Sequence, residues 1–185
     1  MIKVLITGKM RSGKSYATQA LLEWARENGY KPLRVSLGFW VKRLLKRGFH
    51  REDREGMQTL GTEVMRTCAG KLFGHELFWV NLMFADMHDE EANGHNFFVC
   101  DDGRFPNEVD EFRKRGFIIV RLRTTRELQL SRDQEGKKGT TGLDHPSETS
   151  LDVFEGTEYF DLETSPEMTV KQITNKIIEF ILNER

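Results

Sequence analysis

The stretch TGKMRSGKSY, residues 7–16, carries a glycine, four intervening residues and then Gly-Lys-Ser. This is the spacing of a phosphate-binding loop. It is preceded by the short apolar run KVLIT (3–7) and followed by SYATQALLEWAREN (15–28), where Ala17, Ala20, Leu21, Trp24 and Ala25 recur at helical spacing before the stop signal Asn28-Gly29. Strand, glycine loop and helix in that order form the context in which such a loop works. Gly8 and Gly13 allow successive N–H groups to turn inward onto phosphate oxygens, and a helix beginning near Gly13 adds the positive end of its dipole. Arg11 and Ser12 complete the cradle. Lys14 is then expected to reach the β- and γ-phosphates and Ser15 to ligate magnesium, which makes ATP and Mg2+ the expected cofactors.

Outward from the loop, strands and helices alternate. LRVSL (33–37) reads as a second strand and residues 39–48 as a basic amphipathic helix. From Asp53 to about Met87 the sequence is mostly helical, with interruptions expected near Gly61, Gly70 and Gly74. NFFVCDD (96–102) reads as a buried strand, PNEVDEFRKRG (106–116) as a helix with Pro106 in its first turn, and FIIVRLR (117–123) as another strand. Residues 133–147 are polar and glycine-rich, with Gly136, Gly139, Gly142 and Pro146, and read as a mobile loop. TEYFDLE (157–163) supplies a last strand and TVKQITNKIIEFILNE (169–184) a closing amphipathic helix. The pattern predicts an α/β fold with a mostly parallel sheet covered on both faces and ligands at the carboxyl ends of its strands.

Composition narrows the function. A chain of 185 residues suffices for one sizeable α/β domain, and 28 basic against 29 acidic residues give a net charge of -1, too balanced for a field that recruits nucleic acid or an anionic membrane. No apolar run is long enough to span a bilayer or serve as a signal core, so a cytoplasmic protein is expected, as a monomer or homodimer. The two cysteines, Cys68 and Cys100, match no zinc or disulfide spacing and read as buried thiols.

Phosphate loops serve switches, motors and kinases alike. A guanine-nucleotide switch needs an Asn-Lys-x-Asp motif, and NKII (175–178) lacks the aspartate; DREG (53–56) imitates a switch motif but follows a basic helix rather than a strand. Transfer to a second substrate needs alignment and neutralisation of crowded phosphate oxygens, work suited to the planar fork of arginine. Arg66, Arg104, Arg126 and Arg132 are spread over the helical stretch, a strand end and the entry to the glycine-rich segment.

The phosphate loop together with MQTLGTEVMRTCAG (57–70), Trp79 beyond it, DDGRFPNEVDEF (101–112) and LDHPSE (143–148) resembles the phage-type deoxynucleoside monophosphate kinases, within the P-loop nucleoside monophosphate kinases. The resemblance implies a P-loop NTPase of three layers, one kinase domain over 1–185, with a helical acceptor-binding insert over about 37–95 and a mobile lid over about 124–150. It implies a deoxynucleoside monophosphate as substrate and, for a phage-encoded chain, the host cytoplasm. Asp102 and Arg104 then match the strand-end acid and arginine, Asp102 near magnesium and Arg104 near phosphate, with Gly103 where the family carries a bulkier residue. Arg66 is expected to hold the acceptor phosphate and Gln58 or Trp79 to approach base or sugar. Gln58 and Arg66 lie eight residues apart, about two helical turns, if Gly61 does not break the helix. Trp79 reads equally as a core aromatic. Asp144 and Glu148 order the lid or contact substrate, Arg126 approaches the ATP phosphates, and Arg132 is the lid arginine expected on the transferred group. Two alternatives stand beside this reading: a P-loop kinase of another small phosphorylated acceptor, and a non-catalytic ATP-dependent binding module.

Overall fold

β1 (Ile2–Gly8) is apolar on both sides, with Ile2, Val4, Leu5 and Ile6 all buried, and such a strand belongs in the middle of a sheet covered on both faces. The computed structural model describes residues 1–74, 76–136, 149–151, 160–165 and 168–184, without the side chains of residues 54 and 132–136. In it β1 is central in a five-stranded sheet of order β2-β3-β1-β4-β5, where β2 is Pro32–Val35, β3 Phe97–Cys100, β4 Ile118–Arg123 and β5 Phe160–Glu163. β1 pairs in parallel with β3, from Ile2 opposite Phe97 to Leu5 opposite Cys100, and with β4, from Val4 opposite Ile118 to Gly8 opposite Leu122. β4 pairs in parallel with β5. This register brings Thr7 and Gly8 level with the residues that follow Cys100, so the phosphate loop and the acidic strand end open on the same edge.

Residues divide into two compact units, Met1–Arg34 with Asn96–Arg185, and Val35–His95. In the first, α1 (Lys14–Glu27) and α8 (Val170–Asn183) cover one face of the sheet. Ile173, Ile177 and Ile181 of α8 recur every four residues and join Ala17, Leu21, Leu22 and Ala25 of α1 against Ile2, Val4, Ile6, Phe97, Val99, Val120, Leu122 and Leu162. Each such aliphatic side chain, fully buried, contributes about 1.5–3 kcal/mol. α8 begins at a capping box in which Thr169 and Gln172 each accept from the other's backbone N–H. The alternate residues Leu5, Phe98 and Ile119 face the other side, where α6 (Pro106–Lys114) buries Val109 and Phe112, and Phe112 meets Phe117 edge to face at 4.7 Å. α7 (Arg126–Gly136) follows β4. A loop was expected from residue 133, but the helix runs on to Gly136, because Asp133, Gln134 and Glu135 offer no break before that glycine.

Beyond Val35, the last residue of β2, the described residues of the second unit form helices: α2 (Gly38–Gly48), α3 (Arg54–Gln58), a π-helix over Thr59–Ala69, α4 (Gly70–Phe73) and α5 (Phe78–Ala92). Neither Gly61 nor Gly70 interrupts the winding; the break comes only at Gly74, in the left-handed conformation at φ 69°. Gly61 is a packing glycine, since a Cβ there would come 3.6 Å from Val41 of α2. Likewise a Cβ on Gly56 would lie 3.3 Å from Leu45. The switch-like DREG is an N-cap, with the Asp53 carboxylate accepting from Gly56 N–H at 2.8 Å. Two indoles tie the helices: Trp40 Nε1 donates to Asp86 Oδ2 at 2.8 Å and Trp79 Nε1 to the Gly61 carbonyl at 2.9 Å. Cys100 is buried as expected, but Cys68 is exposed, because the π-helix on which it sits buries none of its residues.

Candidate functional site

The phosphate loop begins where β1 can no longer carry a side chain. Gly8 has φ 138°, and a Cβ there would lie 2.3 Å from the Leu122 carbonyl oxygen of the neighbouring strand. The close approach of β4 therefore fixes glycine at this position. At the other end Gly13 caps α1 in the left-handed conformation, φ 95°, and a Cβ added there would meet nothing within 4 Å. Among the described residues, open space thus adjoins the first N–H groups of a 14-residue helix with no acidic residue in its first turn. Between the glycines Arg11 also takes a positive φ, 65°, a strained conformation for a residue with a Cβ.

Lys14 is 8 % exposed, and its ammonium donates to the Gly8 and Lys9 carbonyls, each at 2.6 Å. The charge is held at the centre of the loop by the loop's own backbone. Ser12 is fully buried and its hydroxyl has no hydrogen-bond partner among the described residues. Ser15 is exposed at the start of α1. A buried orphan hydroxyl, a lysine on the loop carbonyls and an unobstructed helix N-terminus together fit a polyphosphate. Among the described residues no cluster of three or more His, Cys, Asp or Glu side chains forms. A hard cation here would be held as magnesium commonly is, by one or two protein oxygens together with phosphates.

The strand-end turn DDGR lies in the same unit and is locked from three elements. Arg34 of β2 engages both oxygens of Asp101, with Nη2 at 2.8 Å from each and Nε at 3.0 Å from Oδ1. Thr7 Oγ1, the residue before the phosphate loop, donates to the Gly103 carbonyl at 2.8 Å. Buried Glu108 accepts from Arg104 N–H at 2.7 Å and Phe105 N–H at 3.1 Å. Gly103 is tightly packed: a Cβ would come 2.9 Å from Leu5 Cδ1, so a bulkier residue between Asp102 and Arg104 needs the buried Leu5 side chain to shift. Asp102 is half-buried and accepts from the Cys100 thiol at 3.2 Å. Burial, and secondarily the Asp102 charge, push the Cys100 thiol well above its ordinary pKa, so it stays a protonated donor.

The structure therefore brings together Gly8, Arg11, Ser12, Gly13, Lys14, Ser15, Asp102 and Arg104. Arg126 begins α7, exposed, and one turn later buried Gln129 donates through Nε2 to the Met10 carbonyl at 2.7 Å, setting that helix against the loop. Arg34, Thr7, Glu108 and Gln129 were missed by sequence reasoning. Only Glu108 carried a signal, as the acid three residues beyond a helix start.

Gln58, Arg66 and Trp79 lie in the second unit. Gln58 ends α3, and its Nε2 is buried with no partner among the described residues. Arg66 is half-buried on the π-helix. The i→i+5 winding puts more residues in each turn than an α-helix does, so the eight residues from Gln58 to Arg66 span slightly less than two turns rather than slightly more. Trp79 is buried, with its indole N–H on Gly61. The same unit holds a cleft of 470 Å³ floored by Leu45 and Met57 and lined by four cations, Lys42, Arg43, Lys46 and Arg47, against one acid, Glu52. The Arg132 side chain, Asp144, Glu148 and the rest of LDHPSE lie outside the described residues.

No family model and no curated sequence matches the chain. Solved structures match its fold over nearly the whole length. A gluconokinase from Sinorhizobium meliloti 1021 is 14 % identical with a TM-score of 0.59, covering 98 % of this chain and 92 % of its own. Shikimate kinase from Acinetobacter baumannii, in complex with shikimate, is 18 % identical with a TM-score of 0.60, covering 100 % and 95 %. A sugar kinase from Janibacter sp. HTCC2649 is 12 % identical with a TM-score of 0.58, covering 98 % and 94 %. The chain has the α/β fold of these P-loop kinases. No helix among the described residues is long and apolar enough to cross a membrane.

Proposed function

We propose that the chain is an ATP-dependent phosphotransferase acting on a small-molecule acceptor. The observation that carries this reading is the loop itself, with buried Lys14 centred on the Gly8 and Lys9 carbonyls beside the buried, unpartnered Ser12 hydroxyl. Backbone N–H groups of residues 11–15 would cradle the donor phosphates, Lys14 would neutralise the β- and γ-oxygens, and Ser15 with Asp102 would hold magnesium. The bound cation would supply charge neutralisation between those oxygens. Arg104, fixed by the strand-end locks, would steady charge on the transferring group, with Arg126 and Arg132 approaching from α7.

For the acceptor, two classes have support. A non-nucleotide small acceptor is favoured by the structural neighbours, whose names are gluconokinase, shikimate kinase and sugar kinase. A deoxynucleoside monophosphate is favoured by the RFPNE and DHPSE motifs, with Arg66 on its phosphate, Gln58 and Trp79 on base or sugar, and Asp144 and Glu148 ordering a lid. The buried, unpartnered amide of Gln58 suits recognition of a polar acceptor group. A coupled assay of ADP production with magnesium, run across deoxy- and ribonucleoside monophosphates, gluconate and shikimate, tests the reading. Acceptor-dependent turnover is expected with one class. ATP binding without turnover on any acceptor would leave a binding module instead.

A further inference from the structure

Consecutive carbonyls of the phosphate loop are each taken by a side chain. Lys14 accounts for Gly8 and Lys9, and the next, that of Met10, accepts from Gln129 Nε2 at 2.7 Å. Gln129 is 2 % exposed, a depth at which an amide is kept for the partner it holds. Its approach follows from the sheet. Gly8 lies opposite Leu122 in the β1–β4 pairing, so the loop that leaves β1 and the helix that follows β4 start side by side. Thr125 sets the first turn of α7, its carbonyl accepting from Gln129 N–H at 3.1 Å and its Oγ1 from Leu128 N–H at 3.2 Å. A return contact from Arg11 Nη1 to the Gln129 carbonyl, at 3.4 Å, closes the clasp.

We propose that Gln129 is a positioning residue for the donor phosphates, acting through the Met10–Arg11 peptide. This rests on the phosphotransferase reading above. In a planar trans peptide the C=O and the following N–H point in opposite directions, so drawing the Met10 oxygen to Gln129 turns the far edge of that peptide away from α7. The oxygen is the negative end of the peptide dipole, and swung into the cradle it would oppose the charge of a polyphosphate. Arg11, next in the chain, sits at φ 65°, a conformation that persists only where its surroundings impose it. Gln129 imposes it from the Met10 side, and Ser12 N–H, on the Lys9 carbonyl at 3.2 Å, from the other. On loading, Lys14 exchanges its carbonyls for phosphate oxygens, whereas Gln129 keeps its own. It is the restraint on the loop's shape that outlasts ligand entry.

The test is calorimetric binding of inorganic tripolyphosphate and of the non-hydrolysable ATP analogue AMP-PNP, both with magnesium, to the full chain, with each variant checked for folding by thermal melt. Gln129→Met keeps the length of the side chain and removes its donor, and should weaken both probes about tenfold, since the loss falls on the phosphates they share. Leu128→Ala thins the packing of the same helix without touching the clasp, and should lower the melting temperature while leaving both affinities near wild type. Gln129→Glu adds a readout that packing does not move. At about pH 8 its carboxylate faces the Met10 oxygen and binding falls below that of Gln129→Met; at about pH 5 the buried acid is protonated, donates to the carbonyl and recovers most of the wild-type affinity measured at the same pH. A folded Gln129→Met that holds tripolyphosphate as tightly as wild type would overturn the assignment, as would a Gln129→Glu whose deficit is the same at both pH values. Losses in Leu128→Ala as large as those in Gln129→Met would return Gln129 to packing alone. Should Gln129→Met fail to fold, the two Gln129→Glu measurements decide. A folded wild type that binds neither probe would overturn the phosphotransferase reading itself, and this inference with it.

Discussion

In the first unit, the charged groups of the site are held by partners from separate elements: Lys14 by the end of β1, Asp101 by β2, and the Arg104 backbone by α6. In the second unit the long helical segment from α3 to α4 buries little, and the exposed large apolar side chains include Phe49, Val64, Leu72 at 77 % and Phe73 at 69 %. Its π-helix buries nothing, and its buried polar amide, Gln58 Nε2, lacks a partner among the described residues. On the reading proposed above, the difference shows how a two-substrate reaction would be divided along the chain. On that reading the phosphate-loop side holds its charged groups in place on its own backbone and neighbouring strands before a ligand arrives. The other unit leaves large apolar side chains on its surface, the kind of surface a bound partner or substrate covers.

The largest expected effect falls on the donor side. Lys14→Ala should lower kcat by about a hundredfold or more while the thermal melt stays near wild type, read in the coupled assay. Near-normal turnover in that variant would end the comparison. Next, Gly103→Ala should destabilise the fold by about 1–3 kcal/mol, because the new methyl meets Leu5 in a packed core; denaturant melts measure it. Trp79→Phe should cost about 1 kcal/mol, through the lost indole bond to the Gly61 carbonyl. At the small end, Leu72→Ser should shift stability by no more than about 0.5 kcal/mol. A Leu72→Ser loss as large as that of Gly103→Ala would mean that the second unit is packed as tightly as the first.

A pH titration sharpens the same contrast. The hydrogen bond from Arg51, and then that from Gly56 N–H, hold Asp53 down from 3.8 to about 2. A depressed carboxylate stabilises the folded state above its unfolded value, and that contribution disappears as pH falls from 3.8 through about 2. Asp53→Asn should flatten the pH dependence of the melting temperature in that window and nowhere else. An unchanged slope would mean that Arg51 and Gly56 do not hold the Asp53 carboxyl down.

Much of the first unit was legible because its signals are local. The run KVLIT, the glycines at 8 and 13 and the periodic apolar residues of α1 and α8 each specify their element without distant partners. Even Gly61 could be seen, but its meaning could not. It looks like a helix breaker in sequence and is a contact point for Val41 in space. The π-helix escaped for a related reason, since i→i+5 winding follows from tertiary packing and has no propensity signal of its own. Arg34 lay in a strand with nothing to mark it, because its partner is 67 residues away. The acidic pair DD was visible, but the unequal burial of its members was not. Gly103 appeared as a departure from a family pattern, and its close packing against Leu5 lies in the fold rather than in the local sequence.

The lysine bonded to Gly8 and Lys9 has one more consequence. The loop already contains an occupant, supplied by its own chain, so on the proposed reading a phosphate would compete with the loop's own carbonyls for the lysine. Each incoming phosphate oxygen competes with two carbonyls at 2.6 Å for the same ammonium protons. A weakly basic anion such as chloride offers too little in that trade. A polyphosphate gains at many N–H groups at once what it must displace at one. On the proposed reading, selectivity for long phosphate chains over simple anions would follow from the loop alone, before any contact with the rest of the ligand.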